Sequence, residues 1–392
     1  MRIALVVSDL TYPATEGLHQ QSLTLLTSLR KLGHQVDLFG FVRKSSSLDL
    51  LKMKNLGIEF RAPAVSYSGS SLLRAVRILA VGMDARSSVL VAKLLAGHYD
   101  IVHLDGSLSC TLSPFLGRQA RVLSWVDPGS RRFKRLAHEE TQFGRKASKH
   151  VARMLYHMIE NRLAFTGPPW HVVSEEDATY LRQLYAGQRV WSVPVMLPPE
   201  LPGTKRIDQR PVDRHFTVTV FCDLRQDFTR TAFRRFITRV ARKSKYREFI
   251  HFQVLGRVPA TKDLTTFAEG LSLDYIGWAD DYVEVLTSSD LVILPDLTGT
   301  GLKNRAIQSL ALAVPVIGTD VAFEGIPVVN GESAVVVHSW KEFLIRFDES
   351  YEDRDLGARI AATGKNVVYA RFGSANIARE WLTHYEELLT AT

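Results

Sequence analysis

Short β-branched runs alternate with longer amphipathic stretches throughout this chain, and that alternation constrains the fold more than any other feature. Near the start, "RIALVVS" holds an apolar run from Ile3 to Val7 that ends in Ser8, and it reads as a buried strand. A Pro- and Gly-bearing loop, "TYPATEG", follows. "LHQQSLTLLTSLRKL" then sets Leu18, Leu25, Leu29 and Leu32 on one helical face, and Gly33-His34 ends the helix. "QVDLFGF" is the next strand. Strand, crossover helix and strand make a βαβ unit, and such units build parallel sheets with helices on both faces. The first loop lies at the carboxyl end of strand one, where open α/β sheets bind ligands.

The pattern continues. Strands are expected at "GIEF", "IVHLD" (101–105), "RVLSWVD" (121–127) and "WHVVS" (170–174), with helices over about 71–97, 131–165 and 175–185. Later strands are "FTVTVFCD" (216–223), "FIHFQVLG" (249–256), "LDYIG", "DLVILP" (290–295) and "VPVIGT" (314–319). Ile377, Trp381, Tyr385 and Leu388 give a last helix, 377–389, its apolar stripe. Residues 192–214 carry five of the chain's fifteen prolines and read as a linker. At 392 residues the chain suits two domains, each with its own core. The expected architecture is α/β, with doubly wound domains at 1–195 and 215–375, a Pro-rich linker at 196–214, and a closing helix at 376–392 that can cross back to the first domain.

Two cysteines, Cys110 and Cys222, lie far apart and outside any CxxC spacing, which argues against a disulfide framework or a zinc site and fits a reducing cytoplasm. The apolar run at the start is too short for the core of a signal peptide, and no stretch of about 18 uncharged apolar residues appears. The net charge is +8 and unevenly spread: residues 131–153 hold eight Lys or Arg against Glu139 and Glu140. Such a block is either a solvated helix face or the footprint of an anionic partner. Its aromatic residues are too loosely spaced for base stacking, so nucleic acid is not the expected partner.

Residues 291–326, "LVILPDLTGTGLKNRAIQSLALAVPVIGTDVAFEGI", raise a specific question. Gly299-Thr300-Gly301 stands directly ahead of a helix, and Lys303 falls in what reads as its first turn. A helix N-terminus carries partial positive charge and spare N–H donors, so a lysine there is locally unfavourable. An anion resting on the glycine-rich turn removes the conflict, because successive backbone amides form an anion-binding concavity and the lysine adds a full charge. The plain alternative is an ordinary loop with a solvent-facing lysine.

These residues carry a resemblance. Pro295, Gly299-Thr300-Gly301, Lys303-Asn304, "VPVIGT" and "FEGIPVVNGESAVVV" resemble the donor-binding motif of GT-B glycosyltransferases of family 4, and "PATEGLHQQSLTLLTSLRKLGHQVDLF" is similar to that family's opening loop and helix. The resemblance implies a GT-B fold, two Rossmann-like domains facing each other across a cleft, with a UDP- or GDP-sugar as donor substrate and no cofactor or metal. It places Gly17, Arg225 (with Arg230 in reserve), Gly256, Trp278, Gly299, Thr300, Gly301, Lys303, Asn304, Gln308 and Glu324 around the donor. Asp127, just past a strand, falls near the anomeric centre, and His103 and Asp105 end another strand on the same side. Several of these have plain readings too: Gly17 and Asp127 as turn residues, Gln308 as a polar helix position, His103 as a packed ring.

The sequence departs from the family pattern at defined places. Gln308 and Thr300 stand where the family has two glutamates, and Glu16-Gly17 replaces Gly-Gly. Gln308 can still hydrogen-bond ribose hydroxyls, without a charge-assisted bond. The expected function is therefore transfer of a sugar from a nucleotide-sugar to a glycan, lipid-linked or other hydroxyl acceptor. The resemblance implies retention and a role in cell-envelope polysaccharide synthesis at the cytoplasmic face of a membrane, with the 131–153 block on its anionic surface. The rival readings are a catalytically inactive GT-B subunit that binds a partner transferase or glycan, and a transferase acting on nucleic acid.

Overall fold

The structure, a computed structural model, describes residues 1–8, 17–43, 53–54, 65–67, 85–140, 142–165, 167–197, 215–258, 269–277, 282–299 and 301–391. It divides into two compact units, Met1–Pro199 with Phe372–Thr392, and Glu200–Arg371. The expected strand at "GIEF", the segment 71–84 and most of the proline-rich linker lie outside the described residues.

The first unit is built on β1 (Arg2–Val7), β2 (Gln35–Arg43), β3 (Val65–Tyr67), β4 (Ile101–Asp105), β5 (Arg121–Val126), β6 (Trp170–Val172) and β7 (Val190–Ser192). They pair in parallel in the order β3-β2-β1-β4-β5-β6-β7. The order reverses between β1 and β4, the switch point of a doubly wound sheet. The helices are α1 (Gly17–Lys31), α2 (Ala85–Ala96), the short α3 (Ser107–Cys110), α4 (Gly129–Glu139), α5 (Phe143–Ala164) and α6 (Glu175–Leu184). The single helix expected over 131–165 is thus two. Glu140 and Gln142 are both extended, at φ −79° and −81°, which breaks the helical ladder between α4 and α5.

The second unit repeats the plan with β8 (Phe216–Phe221), β9 (Ile250–Leu255), β10 (Leu273–Gly277), β11 (Leu291–Leu294), β12 (Val316–Thr319) and β13 (Val335–Val337), ordered β10-β9-β8-β11-β12-β13 and all parallel. Its switch point lies between β8 and β11. Around the sheet run α7 (Asp227–Phe236), α8 (Tyr282–Thr287), α9 (Asn304–Ala311), α10 (Trp340–Glu352) and α11 (Arg354–Phe372). Phe233 and Phe236 of α7 and Phe343 and Phe347 of α10 close one face over Phe216, Val218 and Val220 of β8.

The closing helix α12 (Ser374–Thr390) belongs to the core of the first unit. Alternation along β1 sends Ile3, Leu5 and Val7 to one face, against Leu25, Leu26 and Leu29 of α1 and Ile377, Trp381 and Tyr385 of α12. Ala4 and Val6 point to the other, where α2, α5 and α6 supply Leu94, Ile159 and Leu181. Each such large side chain, fully buried, stabilises by about 1.5–3 kcal/mol.

Candidate functional site

In the second unit, the loops after β8, β11 and β12 meet beside the switch point. Gly299 and Gly301 both have positive φ, +147° and +66°, conformations open to glycine and strained for other residues. A side chain at Gly299 would meet Lys303, whose Cε and Nζ lie 3.1 and 3.3 Å from the position of such a Cβ. Lys303 is the N-cap of α9 and not a first-turn residue, which corrects its expected place. It is only 8% exposed, and its ammonium donates to the Gly301 carbonyl at 2.8 Å. The lysine therefore folds over the glycine turn and fixes a cation at its mouth. The N-cap side chain makes no cap hydrogen bond to α9. Asn304 opens the helix half-buried, and Gln308 follows one turn later, also half-buried.

Beneath this turn lies a pair that the sequence reading missed. Asp296, 5% exposed, accepts from Arg305 Nη2 at 2.5 Å, and the Asp296 carbonyl also accepts from Thr319 Oγ1. Asp296 Oδ2 and Arg305 Nε are buried with no hydrogen-bond partner among the described residues. Burial works against the Arg305 charge, but Asp296 beside it outweighs that and holds its pKa up. Nearby, burial pushes the Cys222 thiol up to about 12, so it stays protonated under the loops.

Arg225 is exposed and forks onto Asp223, with Nη2 to Oδ2 at 2.6 Å and Nε to Oδ1 at 3.0 Å. Burial works against the Asp223 carboxylate, yet the Arg225 hydrogen bonds prevail and hold it below its usual range. Arg230 donates to the Leu224 and Arg225 carbonyls and pairs with Asp227, so it braces the loop. Gly256, at φ +131°, has a packing reason of its own: a Cβ there would sit 2.1 Å from the Cys222 carbonyl oxygen. Glu324 lies half-buried in the turn after β12. Trp278 and Thr300 lie outside the described residues.

In the first unit, the candidate residues separate. Asp127 follows β5, half-buried, with Arg132 Nη1 3.8 Å from its Oδ2. The residue before it, Val126, has φ +68°, and the β5–β6 register shifts between Ser124 and Val126. A β-branched residue in the left-handed region is a backbone outlier, and such outliers cluster at functional sites. His103 is not at a strand end, as expected, but within β4, aligned with Leu5 and Val122. Strand alternation turns it under α12, where it is 1% exposed, its ring 4.6 Å from that of Trp381 and its Nδ1 2.6 Å from Tyr385 Oη. Burial, with His171 adding to it, lowers its pKa well below the usual value. Gly17 is the first residue of α1, not part of the loop before it.

Asp105 does end β4, and it is the centre of a buried network. Ser22 of α1 donates to Oδ2 at 2.5 Å and Ser124 of β5 to Oδ1 at 2.8 Å. Ser124 Oγ also lies 2.8 Å from His171 Nδ1, and His171 Nε2 lies 2.7 Å from the Val193 carbonyl. Burial pushes the Asp105 carboxyl up to about 6 against the two serine hydrogen bonds.

The basic block divides too. Arg131 pairs with the buried Asp177, and Arg132 lies over the rings of Phe133 and Tyr156, 5.1 and 5.8 Å from their centres. Both are tied into the unit's own structure. Lys134 and Lys146 are exposed, and Lys149 and Arg153 are half-exposed.

Residues 217–353 match the family model described as glycosyl transferases group 1. Among solved structures, the chain is similar along its whole length to a sucrose-phosphate synthase from Thermosynechococcus elongatus, with 16% identity, all of both chains covered and a TM-score of 0.75. HepE of Anabaena, solved in complex with UDP and glucose, is 13% identical over 98% of this chain and 99% of its own, with a TM-score of 0.68. S. aureus TarM, solved with UDP among its ligands, is 9% identical over 98% of this chain and 100% of its own, with a TM-score of 0.70. No curated protein sequence matches significantly. The chain thus has the GT-B fold of these structures, and its residues 217–353 are similar to group 1 glycosyl transferases.

Proposed function

We propose that the protein transfers a sugar from a UDP- or GDP-sugar to a hydroxyl acceptor, a glycan or a lipid-linked glycan. The observation that carries this reading is the glycine turn closed by Lys303 at the N-terminus of α9. When the bond from the anomeric carbon to the diphosphate breaks, its electron pair leaves with the diphosphate. The Gly299 and Gly301 amides, the α9 dipole and Lys303 take up that charge in this reading, and Arg225 adds a second cation once it turns from Asp223. In this reading Asn304, Gln308 and Glu324 hold the ribose and sugar hydroxyls, and Gly256 lets the β9 loop approach the nucleotide. Trp278 is assigned to the base, and Asp127 orients the acceptor or the sugar. His103 and Asp105 act by positioning, since both are buried. Retention and independence from a metal follow the family resemblance. The acceptor reading extends to an anionic cytoplasmic membrane surface, which the exposed part of the basic block suits.

A thermal-shift panel of UDP, GDP and their sugars tests the donor site. Ligand at about 100 times its dissociation constant adds about 2.7 kcal/mol. No shift with any nucleoside diphosphate sinks the reading. Binding without turnover in the presence of candidate glycans and a divalent cation points instead to an inactive subunit, and turnover that survives EDTA supports independence from a metal. The Gln308 replacement and the Lys303 contact to its own loop favour that second reading.

A further inference from the structure

Helix α5 is apolar on two opposite faces. Tyr156, Ile159 and Leu163 face the core. At about 100° per residue, Phe143, Val151, Met154, Met158 and Phe165 fall within one arc of roughly 80° on the other side. They are exposed by 88%, 45%, 60%, 53% and 83%. Lys146, Lys149 and Arg153 lie between this stripe and the buried one. A soluble helix normally turns its large apolar residues inward, whereas an apolar stripe bordered by basic residues is the pattern of a helix lying in a membrane interface.

The stripe ends at a cavity of about 850 Å3, which Asn161, Ala164 and Phe165 help to line. The cavity borders the N-terminal ends of β5, β6 and β7, at the opposite edge of this sheet from Asp105 and Asp127. Arg118, Arg121 and Arg189 line it, and among the described residues no Asp or Glu side chain does. Arg121 donates to Ser113 Oγ at 2.9 Å and to the Gly117 and Gln119 carbonyls at 2.9 and 2.8 Å. It thereby fixes the turn that presents Arg118, while Arg118 and Arg189 are exposed. Planar guanidinium groups match phosphate oxygens in pairs, and the volume lies within the range of small-molecule sites.

We propose that the exposed stripe of α5 lies in the interface of an anionic membrane and that the arginine-lined cavity beside it receives the phosphate of a lipid headgroup. This rests on the membrane part of the preceding reading and gives it a docking face and a ligand; it requires nothing of the nucleotide site. The deciding experiment is sedimentation of the full chain with phosphatidylcholine vesicles, with and without phosphatidylglycerol, in the absence of nucleotide. The wild type is expected to bind only the anionic vesicles. Met154→Ser with Phe165→Ser, both at exposed positions, should weaken that binding about tenfold through lost apolar insertion.

Arg118→Lys with Arg189→Lys keeps the charge and removes the paired contacts, and should weaken it by about tenfold too. If this variant binds as well as the wild type, the cavity assignment is overturned while adsorption to the membrane stands. No sedimentation of the wild type at low salt overturns both. A melting shift with glycerol phosphate, without vesicle binding, identifies a soluble phosphate ligand and overturns the lipid source.

Discussion

Lys303 and the two glycines before it show what one residue can declare about itself. Their spacing is local, so a glycine turn with a lysine folded onto it was legible in the sequence, down to the glycines that take positive φ. Lys303→Ala removes a cation that is 8% exposed, and a hydrogen bond to a charged group is typically worth about 1.5–3 kcal/mol. UDP affinity measured by calorimetry should therefore fall by about that amount, with the melting temperature of the free protein little changed; unaltered affinity returns the lysine to a loop-bracing role. Asp127→Asn should cut transfer steeply and leave UDP binding intact, and normal turnover would remove Asp127 from the reaction. The Asp296–Arg305 pair was not legible, because it depends on a loop folding back on the helix that follows it. Nor was the strain at Val126, since valine nearly always avoids φ +68°.

At the scale of elements, the strands with strong β-branched patterns were readable, and the helix between β1 and β2 was fixed by its leucine spacing. Of the three-residue strands, β6 was readable because its apolar run continues to Val173, whereas β3, β7 and β13 were not singled out as strands. His103 misled for a related reason: alternation tells which side of a strand a residue takes, but not that α12 covers that side. The resulting junction of α1, β4, β5, β6 and α12 titrates. The folded chain keeps the Asp105 proton up to about pH 6, while an unfolded carboxyl releases it near 3.8. More protons are bound in the folded state over that window, so this carboxyl's contribution is full below it and is lost as pH rises to about 6. His171, lowered to about 4 mainly by burial, runs the opposite way: its contribution grows with pH from about 4 to the ordinary value of 6.5. Asp105→Asn deletes only the first. Its stability relative to the parent, from urea melts, should therefore increase between pH 4 and 7, on the order of 3 kcal/mol. A flat difference across that range would mean that Asp105 is ionised throughout.

Taken whole, the molecule has one unit whose sequence is continuous, Glu200–Arg371, and one whose sequence is not. The core of the discontinuous unit brings Ile3 and Leu5 together with Trp381 and Tyr385. A ribosome adding about 5–20 residues per second reaches Trp381 roughly 20–80 s after Ile3. Throughout that interval α1 is present on this side of the first sheet but its partner α12 is missing, while the later-made unit holds every strand it needs. The part synthesised first is thus completed last. A released chain truncated before Ser374 should yield to brief proteolysis across residues 1–199 while a fragment near 215–371 survives; equal resistance of both parts would show that the first unit closes without its final helix. Until α12 docks, the nascent chain carries a sheet face only partly covered, and a holding chaperone that shields such surface has its natural moment of engagement there.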